Sequence, residues 1–150
     1  DDISDEQFRK VLDNNVLSNH WLIQQALPDM RASGGGAIIV VSSIGGLRGS
    51  PTIGAYNVSK AADFQLVRNY AVENGKHNIR VNAIAPGVVK TDFARALWED
   101  QKVHDATAAR TPMRRLGDPD DIAGVAVMLA GRAGGWMTGQ MVVIDGGITI

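Results

Sequence analysis

The sequence predicts an α/β fold: a doubly wound parallel sheet of about three strands with helices on its faces. Three observations lead there. Segments with helical apolar spacing alternate with short apolar runs in the order helix, strand, helix, strand, helix, strand, which is the order that right-handed crossovers between parallel strands produce. The runs AIIVV and IRVNAIA are nearly continuous rather than alternating, as strands covered on both faces are. Each run ends in serine, proline or glycine, and in open α/β sheets the working residues lie just beyond the carboxyl ends of the strands.

The elements follow from local signals. Ser4 with Gln7 behind it is a capping-box pattern. Phe8, Val11, Leu12, Asn15, Val16, Leu22, Ile23, Leu27 and Met30 recur at helical spacing, so residues 5–32 are predicted as one long helix stopped by Gly34, Gly35 and Gly36. Residues 37–42 form the first strand. Its run AIIVV has no polar residue to protect a free edge, so it asks for a neighbour on each side. A helix is predicted from about Gly54 to Asn74, ending at Gly75, then a strand over residues 79–85 halted by Pro86 and Gly87. A loop and a weaker helix follow through FARALWEDQKVHDATAAR until Pro112. Asp118 then caps a helix with Pro119 at its first position. Gly131 to Gly139 make a glycine-rich turn, and QMVVID is the third strand.

With 150 residues, 45% of them hydrophobic, the chain is long enough for one domain with an ordinary core. Its 15 basic and 16 acidic residues are not segregated into blocks, so no nucleic-acid partner is expected. The absence of cysteine removes disulfides, thiolate metal sites and thiol nucleophiles. His20, His77 and His104 share no ligand spacing, and no metal site is expected. No apolar run is long enough to span a membrane and nothing resembles a signal peptide, so the expectation is a cytoplasmic protein. The chain begins DDISDEQ without a methionine, and is expected to have been cut from something longer.

The chemistry is concentrated in SSIGGLRGSPTIGAYNVSK, residues 42–60. Tyr56 and Lys60 are four residues apart and share a helix face. A lysine ammonium one turn from a phenol stabilises the phenolate by opposite charge. A serine hydroxyl nearby can hold a carbonyl or alcohol oxygen beside that phenol. The trio suits proton transfer to or from an oxygen while something else moves at the adjacent carbon.

Ser43, Tyr56 and Lys60 in IVVSSIGG…AYNVSKAA resemble the catalytic core of the short-chain dehydrogenase/reductase family. The resemblance runs on through VLDNNV, IRVNAIAPG, RRLGDPDDIAGVAVMLA and MTGQMVVIDGG. A bare Tyr-x-x-x-Lys is weak, but a serine thirteen residues before the tyrosine, with NAIAPG and TGQ…DGG in order behind it, is very specific. The resemblance implies the C-terminal half of a Rossmann-like domain, residues 1–150, without its glycine-rich, cofactor-binding N-terminal βαβ units. It implies NAD or NADP as cofactor, and a small ketone, aldehyde or alcohol as substrate. Tyr56 would be the general acid/base, Lys60 would favour its phenolate and hold the nicotinamide ribose, and Ser43 would orient the substrate oxygen. Asn15 would join the lysine to a water-mediated proton relay. Pro86, Gly87, Val89 and Thr91 match the turn that packs on the nicotinamide. VVKTDFARALWED resembles the subgroup of the mammalian member-4 dehydrogenase/reductase, a carbonyl reductase. A homo-oligomer, commonly a tetramer, is also implied.

Other readings stand beside these. Asn15 could bond a backbone group within its helix, and Pro86 and Gly87 could simply end a strand. Phe93, Leu97 and Trp98 could be a substrate lid or the buried stripe of a helix. Asp145, Gly146 and Gly147 read as turn and subunit-contact residues. Beyond oxidoreductase chemistry, the chain could be a non-catalytic fragment that keeps only assembly surfaces, or the same residues could serve an epimerase or dehydratase.

Overall fold

Three strands form one parallel sheet in the order β1 (Gly36–Val41), β2 (Ile79–Pro86), β3 (Met141–Ile144) in the computed structural model, which describes residues 3–150. The register runs from Gly36 opposite Ile79 to Val41 opposite Ile84, and from Ala83 opposite Met141 to Pro86 opposite Ile144. Alternate residues of a strand face opposite sides. On one side Val81, Ala83 and Ala85 join Val40, Leu27, Phe64 and Val67 in the main core, beneath α2 (Ser18–Ala32) and α3 (Gly54–Asn74). On the other, α5 (Pro119–Ala130) lies against β1 and β2, with Leu129 fully buried. Arg80 secures the end of α5 by donating to the carbonyls of Leu129 and Gly134 at 2.6 and 2.8 Å. Burial on both faces is why β2 is apolar almost throughout. Among the described residues β1 has a strand neighbour on one side only, and Val41 is 59% exposed.

The helix predicted over residues 5–32 is present but not uniform. Ser4 Oγ accepts the Gln7 N–H at 3.2 Å and Gln7 Oε1 accepts the Ser4 N–H at 3.0 Å, completing the capping box. After α1 (Asp5–Leu12) the chain widens into one π turn (Asp13–Leu17) before α2. There Ser18 N–H reaches back to Asp13 O, and Ser18 Oγ donates to Asn14 O, the carbonyl its N–H would take in an α turn. The helix stops where Gly34 and Gly35 adopt φ +84° and +136°, a region that carries no Cβ penalty for glycine.

The loop and weaker helix expected across residues 93–110 are a 3₁₀ turn (Arg95–Leu97) followed by α4 (Gln101–Arg110). Asp100 makes the break. Its carboxylate accepts the N–H groups of Lys102 and Val103 at 2.8 and 3.2 Å, so a new helix starts there. The α3 and α5 boundaries agree with the prediction, including Asp118 as N-cap and Pro119 at the first position of α5. Among the described residues no helix is long and apolar enough to cross a membrane.

Two carboxylates make the fold sensitive to acid. Hydrogen bonds from Arg115 at 2.6 and 2.8 Å, then one from Asp118 N–H at 2.8 Å, hold the Asp121 carboxyl well below the usual carboxylate range. Burial pushes Asp145 up, but bonds from the Thr149 hydroxyl and the N–H groups of Gly147 and Thr149 outweigh it, with Arg48 adding charge. Both groups bind a proton more tightly unfolded than folded. Their stabilisation is complete above the unfolded carboxylate range and is lost as pH falls through it. The urea midpoint followed by circular dichroism is expected to be level from about pH 7 to 5 and to fall below about pH 4.

Candidate active site

Ser43 continues the extended backbone past β1 and caps the 3₁₀ turn Ile44–Leu47, its Oγ accepting the Gly45 N–H at 3.0 Å. Two glycines then let α3 press onto this turn. A methyl group on Gly46 would lie 2.6 Å from Phe64 Cε2 and 2.7 Å from both Ala61 N and Lys60 C. One on Gly45 would lie 3.2 Å from Tyr56 Cε1 and 3.4 Å from Ser43 Oγ. Tyr56 and Ser43 therefore flank one point beside Gly45, where Asn57 Oδ1, at 2.6 Å, leaves no room for a methyl group. Ser42 Oγ donates to Lys60 O and Asn57 Nδ2 to Arg48 O, each at 2.9 Å, tying the loop to the helix.

On α3, Lys60 Nζ lies 5.7 Å from the centre of the Tyr56 ring, close enough for its charge to act on the phenol. The ammonium donates to Val41 O at 3.4 Å and pairs with Asp63 Oδ2 at 3.3 Å. Asn15 does not bond Lys60. Its Nδ2 donates to Ser59 Oγ at 2.9 Å, and Ser59 in turn donates to Tyr56 O at 2.7 Å. One turn along, Asn19 Nδ2 donates to Asn15 O at 2.7 Å and to Asp63 Oδ1 at 3.0 Å. The π turn thus sits where Asn15 and Asn19 meet Ser59 and Asp63, two polar rungs between adjacent helices.

The second strand end is equally constrained. Gly87 N–H donates to Ile144 O at 2.9 Å, and a Cβ there would stand 2.8 Å from Asp145 Cα, so only glycine fits. Val89 forms a parallel bridge with Gly117, built from Lys90 N–H on Gly117 O and Gly117 N–H on Val88 O. That pattern leaves the N–H and C=O of Val89 itself outside the bridge. Thr91 O accepts Trp98 Nε1 at 2.8 Å and Thr91 Oγ1 accepts the Ala94 N–H at 3.3 Å. A cavity of about 140 Å³ lies behind this turn, lined in part by Gly87, Val89, Arg115 and Asp145. Asn15, Ser43, Tyr56 and Lys60 do not contribute to it.

The Phe93 ring stacks over Tyr56 with centroids 6.4 Å apart and planes inclined by 30°, yet Phe93 is 88% exposed. Leu97 is also exposed and Trp98 half-buried. No buried helical stripe forms from these three. The lid alternative keeps its geometry, with Phe93 already over the phenol.

A family model described as enoyl-(acyl carrier protein) reductase matches residues 1–149. The chain belongs to the short-chain dehydrogenase/reductase family. It is 39% identical over 146 residues to the mouse (Mus musculus) dehydrogenase/reductase SDR family member 4, covering 97% of this chain and 52% of that one. A 7α-hydroxysteroid dehydrogenase solved with NADH and 7-oxoglycochenodeoxycholic acid superposes with TM-score 0.92 at 38% identity, over 97% of this chain and 57% of that one. A gluconate 5-dehydrogenase from Burkholderia cenocepacia, solved with NADP and tartrate, gives 0.94 at 30% identity, over 99% and 58%. The chain spans about half the length of the relatives it matches.

Within this family framework, the structure gathers Ser43, Tyr56 and Lys60 at the carboxyl end of β1 and places the Pro86–Thr91 turn at the end of β2. Sequence reasoning missed Gly45, Ser59, Asn19 and Asp63. A signal for Asp63 was present: it falls three residues after Lys60 and seven after Tyr56, on their helix face.

Proposed function

We propose that residues 1–150 form the C-terminal, catalytic part of a single Rossmann-type domain in an NAD(P)-dependent oxidoreductase. Its reaction interconverts a carbonyl and a secondary alcohol. The observation that carries this reading is the meeting of Tyr56 with Ser43 across Gly45, with the Lys60 ammonium 5.7 Å from the phenol ring.

The residues fit a nicotinamide group. Val89 offers an N–H and a C=O not used in its bridge, suited to a carboxamide with both donors and an acceptor. Pro86, Gly87 and Thr91 would flank it, and Lys60 would reach its ribose hydroxyls. When bound, the reduced nicotinamide supplies the hydride received by the carbonyl carbon. Tyr56 gives its hydroxyl proton to the carbonyl oxygen, and the Lys60 charge favours the phenolate left behind. Ser43 Oγ already accepts from Gly45 N–H, so its own O–H is left to donate to the same oxygen. Asn15 steadies this turn of α3 through Ser59. Phe93, Leu97 and Trp98 present apolar surface to the substrate, which favours a hydrophobic ketone or aldehyde, as for a carbonyl reductase.

The test is stoichiometry. With the full protein, a ketone, and NADH or NADPH supplied separately, one reduced cofactor is expected to disappear per alcohol formed. Product without cofactor consumption would point to an epimerase or dehydratase. Absence of both product and cofactor-dependent change in Trp98 fluorescence would point to a non-catalytic chain.

A further inference from the structure

We propose that Asp63 is a positioning residue for Lys60: its buried carboxylate, itself held by Asn19, sets where the ammonium stands beside Tyr56. The inference rests on the roles proposed above for Tyr56 and Lys60.

Asp63 has no exposed surface and the Lys60 side chain is only 12% exposed. A carboxylate withdrawn from water keeps its charge only with close partners, and both oxygens of Asp63 have one. Oδ2 faces Lys60 Nζ at 3.3 Å, and Oδ1 accepts Asn19 Nδ2 at 3.0 Å. The Asn19 amide is aligned in turn by Asn15 O at 2.7 Å. A lysine ammonium is a compact charge on a flexible stem and can stand in several places. Asp63 from its own helix and Val41 O from β1 together define one of them. The groups facing this pair are Asn19 from α2, Val41 O from β1 and Tyr56 from α3, and of these three Tyr56 is the titratable one.

A carboxylate is specifically required by this arrangement. Asn19 and Lys60 both present donors, so both atoms at the tip of residue 63 must accept. An asparagine at this position would turn its NH₂ toward one of them and release it. A role confined to joining the helices needs only the Asn19 contact, whereas the second oxygen is committed to Lys60.

The experiment measures alcohol oxidation against pH, with saturating NAD⁺ or NADP⁺, in the full protein and its Asp63→Asn, Asn19→Ala and Tyr56→Phe variants, with urea midpoints alongside. Asp63→Asn is expected to lower kcat about tenfold or more and to move the pH of half-maximal rate, because the ammonium no longer stands where Asp63 and Val41 O hold it. Asn19→Ala keeps the carboxylate and is expected to move the profile by less. An unmoved profile in Asp63→Asn, or a rate merely rescaled at every pH, overturns the proposal. If Asp63→Asn does not fold, an unmoved profile in Asn19→Ala overturns it. A wild-type rate in Tyr56→Phe would instead refute the function on which the inference rests, so the two failures are distinguishable.

Discussion

Tyr56→Phe is expected to lower carbonyl reduction by a factor of about 10²–10⁴, the range a positioned general acid contributes, with the urea midpoint unchanged. The substitution is unusually clean. Tyr56 is tied into the site through its backbone carbonyl, which accepts Ser59 Oγ at 2.7 Å, and through the stack of its ring on Phe93. Phenylalanine keeps both and removes only the hydroxyl. Stability changes at such a half-exposed position stay within about 0.5 kcal/mol, so a collapsed rate at a matched midpoint assigns the loss to proton transfer. Removing Lys60 is a poorer test, since it strands the buried Asp63 and disturbs fold and chemistry together.

The largest expected loss of stability from a small change is at Gly46. A Cβ there would meet Phe64 Cε2 at 2.6 Å and the backbone atoms Ala61 N and Lys60 C at 2.7 Å. The ring can tilt, but the α3 backbone yields only by moving the helix. Gly46→Ala is therefore expected to cost about 1–3 kcal/mol, as overpacking in a tight contact does. It should also depress activity beyond the loss of folded protein, because the same shift separates Tyr56 from Ser43. Gly49→Ala is the control: nothing lies within 4 Å of its Cβ position, and its urea midpoint and rate should match the parent. Equal stability of Gly46→Ala and Gly49→Ala would contradict the close approach of α3 to the Ser43 turn.

Which parts of this were readable from residues follows from where the determining forces lie. The ends of α3 and β2 are written locally, in apolar runs punctuated by Gly75, Pro86 and Gly87, and local punctuation is what a sequence displays. The π turn is not local, since it is accompanied by Asn15 and Asn19 reaching partners 44 residues away on α3. Asp100 shows the converse: an exposed aspartate inside an apparent helix pattern is as much a cap as a surface residue, and its two N–H contacts decided for the cap. Asp63 carries no local mark of burial in the sequence. Only the packing of α2 reveals that water is excluded from it. Ser43 and Tyr56 could be paired by spacing, whereas the reason they meet is the absence of side chains at Gly45 and Gly46.

The most direct measurement is the fate of a label. Reduced nicotinamide carrying deuterium at the transferable position would be incubated with the full protein and a hydrophobic ketone, and the alcohol analysed by mass and NMR. Transfer of one deuterium to the carbinol carbon, lost together with the rate in Tyr56→Phe, is the predicted result. An alcohol formed without deuterium at that carbon, or a labelled alcohol formed equally well by Tyr56→Phe, would contradict the mechanism assigned to this site.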